Sequence, residues 1–519
     1  MIKKKTIIIV GAGASGAAAA WNLSKISDYQ VICMEQGGEI NPKEYDYLSD
    51  EWERNKLSKY HKNPNLRKSL SDYPINDKDS QISIANFNGV GGSTLIYNAH
   101  LPRFKDSDFK TKYLDNIGTN WPFSYNDLNK YFELNEKRMG LAGKKNDPAY
   151  PKIRNLLPPV KLGKSGELIL KTFKSLNWHC WPSYSGIATK KIKNRKILSK
   201  ANAINSYLKD ALKNGIKLKT NCRVVKIKTN NKGRVAGIYF CEKGKKIKFL
   251  EASIIILACS GIGTPRLLLN SKNKRNKNGL ANTSGQIGKN LMLHPLGYAE
   301  GRFKKFLASH VGPEGCCVYS HQFYNSNTSN KFKRGYTIQV LRGQSAVDTA
   351  LSEKKFNNLK FGKKFHETFL NTYGHTIPMA IICEDLPDKK NYLELDYKKK
   401  DSDGMPGVKV NYSISENTKR MLAHGINMCR VVLKKAGANR IRSFGPVKDT
   451  GWHIMGTARM GSNKKKSVVN SFGQSHDIEN LFIVDSSIFV TSAAVNPLNT
   501  MTALALRISD YIKKNINKF

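Results

Sequence analysis

The chain has 519 residues, 40% of them hydrophobic, which is too long for one simple core and suits two folded domains. Lys and Arg total 86 against 40 Asp and Glu, a formal net charge of +46. The lysines are scattered in pairs and triplets among abundant Asn and Ile, so the excess reads as compositional bias; it argues against specific nucleic-acid binding and leaves peripheral association with an anionic membrane as the partner it allows. No run is long and apolar enough for a membrane span. The nine cysteines are odd in number, contain no C-x-x-C and sit mostly in apolar runs. They read as small buried hydrophobes in a reducing compartment, with no metal site and no disulfide framework. Met1 to Ala20 superficially resembles a signal peptide, but a glycine fingerprint accounts for the same residues. No targeting segment is expected, and the cytoplasm is the expected location.

In chain order, Ile7 to Val10 is a wholly apolar, β-branched run, the pattern of a buried parallel strand. Gly11-Ala12-Gly13-Ala14-Ser15-Gly16 follows, then a small-residue helix from Ala17 to Leu23. A second apolar strand, Val31 to Met34, ends in Glu35, 19 residues after Gly16. Each part has a task in dinucleotide binding. Gly11 permits the turn, Gly13 lets backbone approach a pyrophosphate, and Gly16 lets helix and strand pack closely. The helix N-terminus offers free N–H groups to phosphate, and Glu35 can accept from a ribose. The alternative is a glycine-rich turn without a ligand, and these residues leave open which dinucleotide is bound.

Residues 37 to 80 are polar and aperiodic and read as a surface excursion with short helices. Gly89-Val90-Gly91-Gly92-Ser93-Thr94 suits backbone that passes close to a ligand, or an ordinary loop. Ser124, with Asp127 three residues on, caps a helix expected to run to about Met139. Helices are expected over Gly166–Leu176 and Ala203–Leu212. Ile216–Lys219, Arg223–Ile227 and Val235–Phe240 alternate and predict a β-meander with one wet face. Ser253–Ala258 is another apolar strand, and Gly261-Ile262-Gly263-Thr264-Pro265 turns into a helix over Arg266–Leu269. Between 296 and 440, strands at Tyr336–Leu341, Ile377–Glu384 and Tyr392–Leu395, closed by a helix over Glu416–Ala436, predict a second domain on an antiparallel sheet. Leu481 to Val484 is a third apolar strand, ending in Asp485, and a helix runs from Thr500 to Lys514.

Two late segments carry candidate chemistry. His453 lies among glycines and small residues, and histidine is the usual side chain for accepting a proton near neutral pH. Asn496, held extended before Pro497, can donate and accept at an alcohol oxygen. Taken singly, each reads as well as a structural histidine and a turn.

Together with Gly91 to Thr94, Arg103-Phe104, Trp121 to Tyr125, Gly263 to Arg266, Gly288 to Pro295, His453 to Gly461 and Asp485 to Pro497, these motifs change the reading. Their order and spacing resemble the glucose–methanol–choline (GMC) flavoprotein oxidoreductases over most of the chain, and Asn480 to Leu504 is similar to bacterial gluconate and sugar dehydrogenase flavoprotein subunits. The resemblance implies an α/β fold, with an FAD-binding Rossmann-like domain on a central parallel sheet and a substrate domain on an antiparallel sheet with helices. The FAD domain would take residues 1–115, 190–295 and 445–519, and the substrate domain 116–189 and 296–444.

The resemblance further implies FAD, with Gly11, Gly13, Ala14, Ser15 and Gly16 at its pyrophosphate and Glu35 at its adenosine ribose. Val224 would meet the adenine, and Gly92, Ser93 and Thr94 would pass near the flavin. Asp485 would reach the diphosphate or ribityl part, with Asn496 and Pro497 beside the ring. His453 would be the general base that takes the hydroxyl proton of an alcohol, polyol or sugar held by Asn496, while hydride moves to flavin N5. Oxygen, a quinone or a cytochrome subunit would accept the electrons. Some relatives tether FAD through a histidine shortly after the double glycine; here that position is Ile96, followed by Tyr97, with His100 further on, so FAD is expected to be non-covalent. A second reading keeps the fold and makes the protein a lyase that uses flavin structurally.

Overall fold

The computed structural model describes residues 5–41, 44–45, 52, 55–67, 74–192, 195–242, 244–356 and 360–519. Expectations placed on residues 1–4, 42–43, 46–51, 53–54 and 68–73 lie outside the described residues.

Five parallel strands form the sheet that the opening residues predict. Their order is Leu481–Ile483, Ile254–Leu257, Lys5–Val10, Tyr29–Met34 and Lys217–Lys219. Ile7, Ile8, Ile9 and the four residues Ile254 to Leu257 are fully buried, as a strand covered on both faces requires. The first helix, Ala14–Leu23, is buried along its whole length. It packs against the last helix, Leu498–Lys514, where Asn22 Nδ2 donates to Ser509 Oγ at 3.0 Å. The small residues Ala17 to Ala20 are what allow that close approach.

Lys217–Lys219 corrects one expectation. This segment joins the edge of the parallel sheet rather than the meander, pairing Leu218 with Cys33. Its Lys-Leu-Lys alternation describes an edge strand of either kind. The meander consists instead of Cys222–Thr229, Val235–Glu242 and Lys248–Glu251.

A six-stranded antiparallel sheet forms the second layer, in the order Arg440–Phe444, Leu296–Arg302, Thr376–Cys383, Tyr336–Arg342, Gly315–Ser320 and Trp181–Pro182. The amphipathic helix Glu416–Lys435 packs against it, with Ser415 Oγ accepting from Thr418 N as its N-cap. Tyr392–Lys400, expected in this sheet, lies instead in a small sheet with Pro406–Asn411 and Ile75–Asn76.

Two further differences have local causes. The glycine segment Gly261–Gly263 is not a turn but the start of the helix Ser260–Asn270, with Pro265 inside it. Proline has no N–H for the carbonyl of Gly261; the Thr457 hydroxyl donates to that carbonyl instead, at 2.8 Å. Part of the 37–80 excursion also folds inward. Trp52 and Tyr60 are buried and form a small aromatic cluster with Phe87 and Leu95.

Candidate active site

A cavity of about 510 Å³ runs from the glycine turn to the inner face of the antiparallel sheet. Its floor is the carboxyl end of the parallel sheet: Val10, Met34, Glu35 and Ala258 line it. Gly11 has φ +107°, and a Cβ there would meet the Ala258 carbonyl oxygen at 2.4 Å. A Cβ on Gly16 would meet the Gly11 oxygen at 1.9 Å, whereas one on Gly13 would meet nothing within 4 Å. Gly11 and Gly16 are therefore packed against backbone, and Gly13 faces open space. Gly13, Ala14 and Ser15 line the cavity; Gly16 supports the turn from behind.

Glu35 accepts from the Ala12 N–H through Oε2 and from the Gly37 N–H through Oε1, both at 2.9 Å. The carboxylate thus shapes the turn as well as lining the cavity. Asp485 accepts from Thr264 Oγ1 at 2.5 Å and from Ser487 N at 2.9 Å. Burial raises its carboxyl above the usual range. Val224, Gly92, Ser93, Thr94, Ile96, Tyr97 and His100 also reach the cavity.

At the far end, the sequence-distant His453 and Asn496 meet. Asn496 Nδ2 lies 3.4 Å from His453 Nε2. Gln339 Nε2 donates to Asn496 Oδ1 at 2.8 Å, which turns the amide nitrogen towards the histidine. Behind His453 stands a second, fully buried histidine. His294 Nδ1 is 2.7 Å from His453 Nδ1, and His294 Nε2 is 3.1 Å from Ser492 O and 2.9 Å from Ala493 O. Backbone pairing sets this up: Met292 and Met455 exchange N–H···O bonds in an antiparallel bridge, which places residue 294 opposite 453.

The tautomers follow from the partners. His294 Nε2 faces two carbonyls and must carry a proton. Its Nδ1, in the neutral ring, then accepts from His453 Nδ1–H. His453 Nε2 is left unprotonated, beside the Asn496 amide and open to the cavity. Burial keeps both rings neutral: it pushes His294 down to about 4 and, with His294 and His100 nearby, holds His453 well below the ordinary histidine value.

Family models described as GMC oxidoreductase match residues 5–296 and 387–505. The chain is 34% identical over 530 residues to 2-methyl-1,2-propanediol dehydrogenase of Mycolicibacterium austroafricanum, covering 98% of this chain and 95% of that one. It is 27% identical to the fructose dehydrogenase large subunit of Gluconobacter japonicus, over 83% of this chain and 81% of that one. Among solved structures, formate oxidase of Aspergillus oryzae RIB40 carrying R554K superposes with a TM-score of 0.70 at 13% identity, covering 100% of both chains. Pyridoxine 4-oxidase from Mesorbium loti gives 0.66 at 14%, covering 98% of this chain and 99% of that one. The chain belongs to the GMC oxidoreductase family.

GMC oxidoreductases are FAD flavoproteins, and this chain is an FAD-dependent oxidoreductase of CH–OH groups. The cavity fits that cofactor by its own features. The helix Ala14–Leu23 has no side-chain cap and no acid in its first turn, so its leading N–H groups are available to an anion. A Cβ on Gly13 would have nothing within 4 Å, and Ser260 Oγ on the cavity wall is buried without a hydrogen-bond partner among the described residues. Arg223, Arg266 and Met405 line the end beyond Val224.

Every cavity-lining residue named from the sequence is brought to this one space, apart from Gly16 behind the turn. Two participants were missed. His294 sits in the Gly288–Pro295 segment already singled out, but nothing in its neighbours indicates that it backs His453. Gln339 comes from a strand interior 157 residues from Asn496, and no local pattern signals the contact.

Proposed function

We propose that this GMC oxidoreductase oxidises a small alcohol or polyol, with sugars as the wider class, and that His453 Nε2 is the general base. The observation that carries the reading is the fixed tautomer: a neutral, unprotonated Nε2 faces the cavity beside an amide N–H. His453 takes the hydroxyl proton as the substrate is oxidised. Asn496 donates to the substrate oxygen and holds it in line with that nitrogen, and Gln339 keeps the amide turned the right way. FAD, when bound, supplies the hydride acceptor at N5.

Gly11, Gly13, Ala14, Ser15 and Gly16 form the pyrophosphate turn in this reading, and Glu35 takes the ribose. Val224 meets the adenine, while Gly92, Ser93, Thr94, Asp485, Asn496 and Pro497 hold the remainder. FAD is non-covalent, because Ile96 offers no nucleophile and His100 Nε2 already accepts from the Cys316 N–H at 2.7 Å. Residues 1–115, 190–295 and 445–519 act as the cofactor domain, and 116–189 with 296–444 as the substrate domain.

Leu296, Tyr298, Leu341, Ala380 and Ile382 are the side chains that the antiparallel sheet brings to the cavity along with Gln339. That apolar lining supports a compact, partly aliphatic alcohol, as does similarity to a dehydrogenase named for a branched diol. The electron acceptor is oxygen, a quinone or a cytochrome chain; a relative named as a large subunit supports a partner chain. The chain works in the cytoplasm, attracted to anionic membrane surfaces by its charge, and no helix among the described residues is long and apolar enough to cross a membrane.

The test is anaerobic mixing of the flavin-loaded protein with 1,2-diols, linear alcohols and sugars. Bleaching of the flavin by one class supports the reading, and readmitted air then separates an oxidase from a dehydrogenase. A flavin that no alcohol bleaches, with carbon–carbon cleavage detected, would replace the reading with the lyase.

A further inference from the structure

One end of the antiparallel sheet carries an apolar tip that none of the described residues covers. Helix Lys363–Leu370 has no buried residue. Phe361 before it is 83% exposed and Leu370 at its end 69%. The neighbouring loop adds Phe306 and Val311, 48% and 62% exposed. Loop and helix segment are one packed unit: Leu307 N donates to Gly374 O at 2.9 Å, the His310 ring stacks on Tyr373 at 4.3 Å, and Tyr373 stacks on Phe369 at 5.3 Å. The same segments carry the exposed lysines Lys304, Lys305, Lys360, Lys363 and Lys364, against Glu367 as the exposed acid among the described residues there.

Large apolar side chains left in water on the same segments as five exposed ammonium groups have a specific complement. A protein partner of ordinary charge would cover the apolar groups and leave the lysines desolvated. An anionic bilayer surface takes both, with aromatic and aliphatic tips entering the headgroup boundary and the lysines meeting lipid phosphates. We propose that this tip, formed by residues 304–311 and 360–370, docks the protein peripherally on anionic lipid. The inference rests on the attraction to anionic surfaces proposed above and gives it one location.

The experiment is co-sedimentation of the flavin-loaded protein with vesicles of phosphatidylcholine alone and of phosphatidylcholine mixed with phosphatidylglycerol. Binding is expected only to the mixed vesicles and weakens with salt. Phe361→Ser with Leu370→Ser should lower that binding about tenfold or more, with flavin content unchanged. Lys360→Gln, Lys363→Gln and Lys364→Gln should weaken it comparably, whereas Lys464→Gln, Lys465→Gln and Lys466→Gln, also exposed, should not. Equal loss from the two lysine sets, or full binding by the Phe361/Leu370 variant, overturns the docking site while leaving a diffuse attraction intact. No binding by the wild-type chain overturns both. Sedimentation of the wild type as a dimer that the Phe361/Leu370 variant loses would assign the tip to a second copy instead and overturn the proposal.

Discussion

His453 and His294 face each other Nδ1 to Nδ1 at 2.7 Å. Two nitrogens at that distance need one proton between them, and the carbonyls of Ser492 and Ala493 decide whose it is. His453→Ala should therefore slow flavin reduction by alcohol by about two to four orders of magnitude while FAD stays bound. Stopped-flow absorbance checks this, and reduction at the native rate would remove His453 from the role of base.

His294 acts through its neighbour. His294→Leu removes the acceptor that fixes the His453 tautomer, so kcat should fall at least about tenfold, the value of one lost hydrogen bond, with little change in KM. His294→Gln can still accept from His453 and should recover part of the rate. A purely structural role would move thermal stability and leave the kcat-to-KM split and the pH profile alone.

Acid sensitivity follows from the same burial. The His294 and His100 rings are held down to about 4 in the fold, against 6.5 in the unfolded chain. Unfolded protein therefore binds more protons between those values. Stability from each neutral ring is fully present above 6.5 and is lost as pH falls towards 4, by roughly 3 kcal/mol per ring. His294→Leu should flatten the midpoint of thermal unfolding across that window relative to the wild type. With His453 as the proposed base, the rate of flavin reduction should stay level as pH drops through 6.5 and decline only in stronger acid.

The glycines separate two effects. Gly16→Ala drives a Cβ into the Gly11 carbonyl and should cost about 3 kcal/mol or more of stability, seen in denaturant unfolding. Gly13→Val meets no backbone, has φ of −75°, and should fold while losing FAD affinity, seen in flavin titration. Reversed outcomes would show that the turn is not a phosphate cradle.

Thr457→Val tests the capped proline. It is nearly isosteric, and it leaves the buried Gly261 carbonyl without its donor. A loss of about 1–3 kcal/mol is expected by chemical denaturation.

Four of the five strands of the parallel sheet were legible because they carry runs apolar on both faces, a pattern few other elements share. The cavity floor was legible for the same reason, since the glycine turn lies between two such strands. Lys217–Lys219 was misplaced because alternation marks a half-wet strand without saying which sheet receives it. The glycines before Pro265 suggested a turn, and only the distant Thr457 hydroxyl explains why a helix tolerates that proline. His294 and Gln339 stayed hidden for a related reason. Their partners are set by long-range register, which no single segment encodes.

The walls of the cavity come from residues as far apart in the chain as Gly11 and Asn496, with Val224, Arg266 and Gln339 between. FAD held across this cavity, as proposed, binds only the finished fold and is absent from every partial one. Free FAD at about a hundred times its dissociation constant would thus add about 2.7 kcal/mol to the folded state. Flavin supply then becomes a term in the steady-state amount of this protein: a cell short of FAD would lose the polypeptide to proteolysis as well as its turnover.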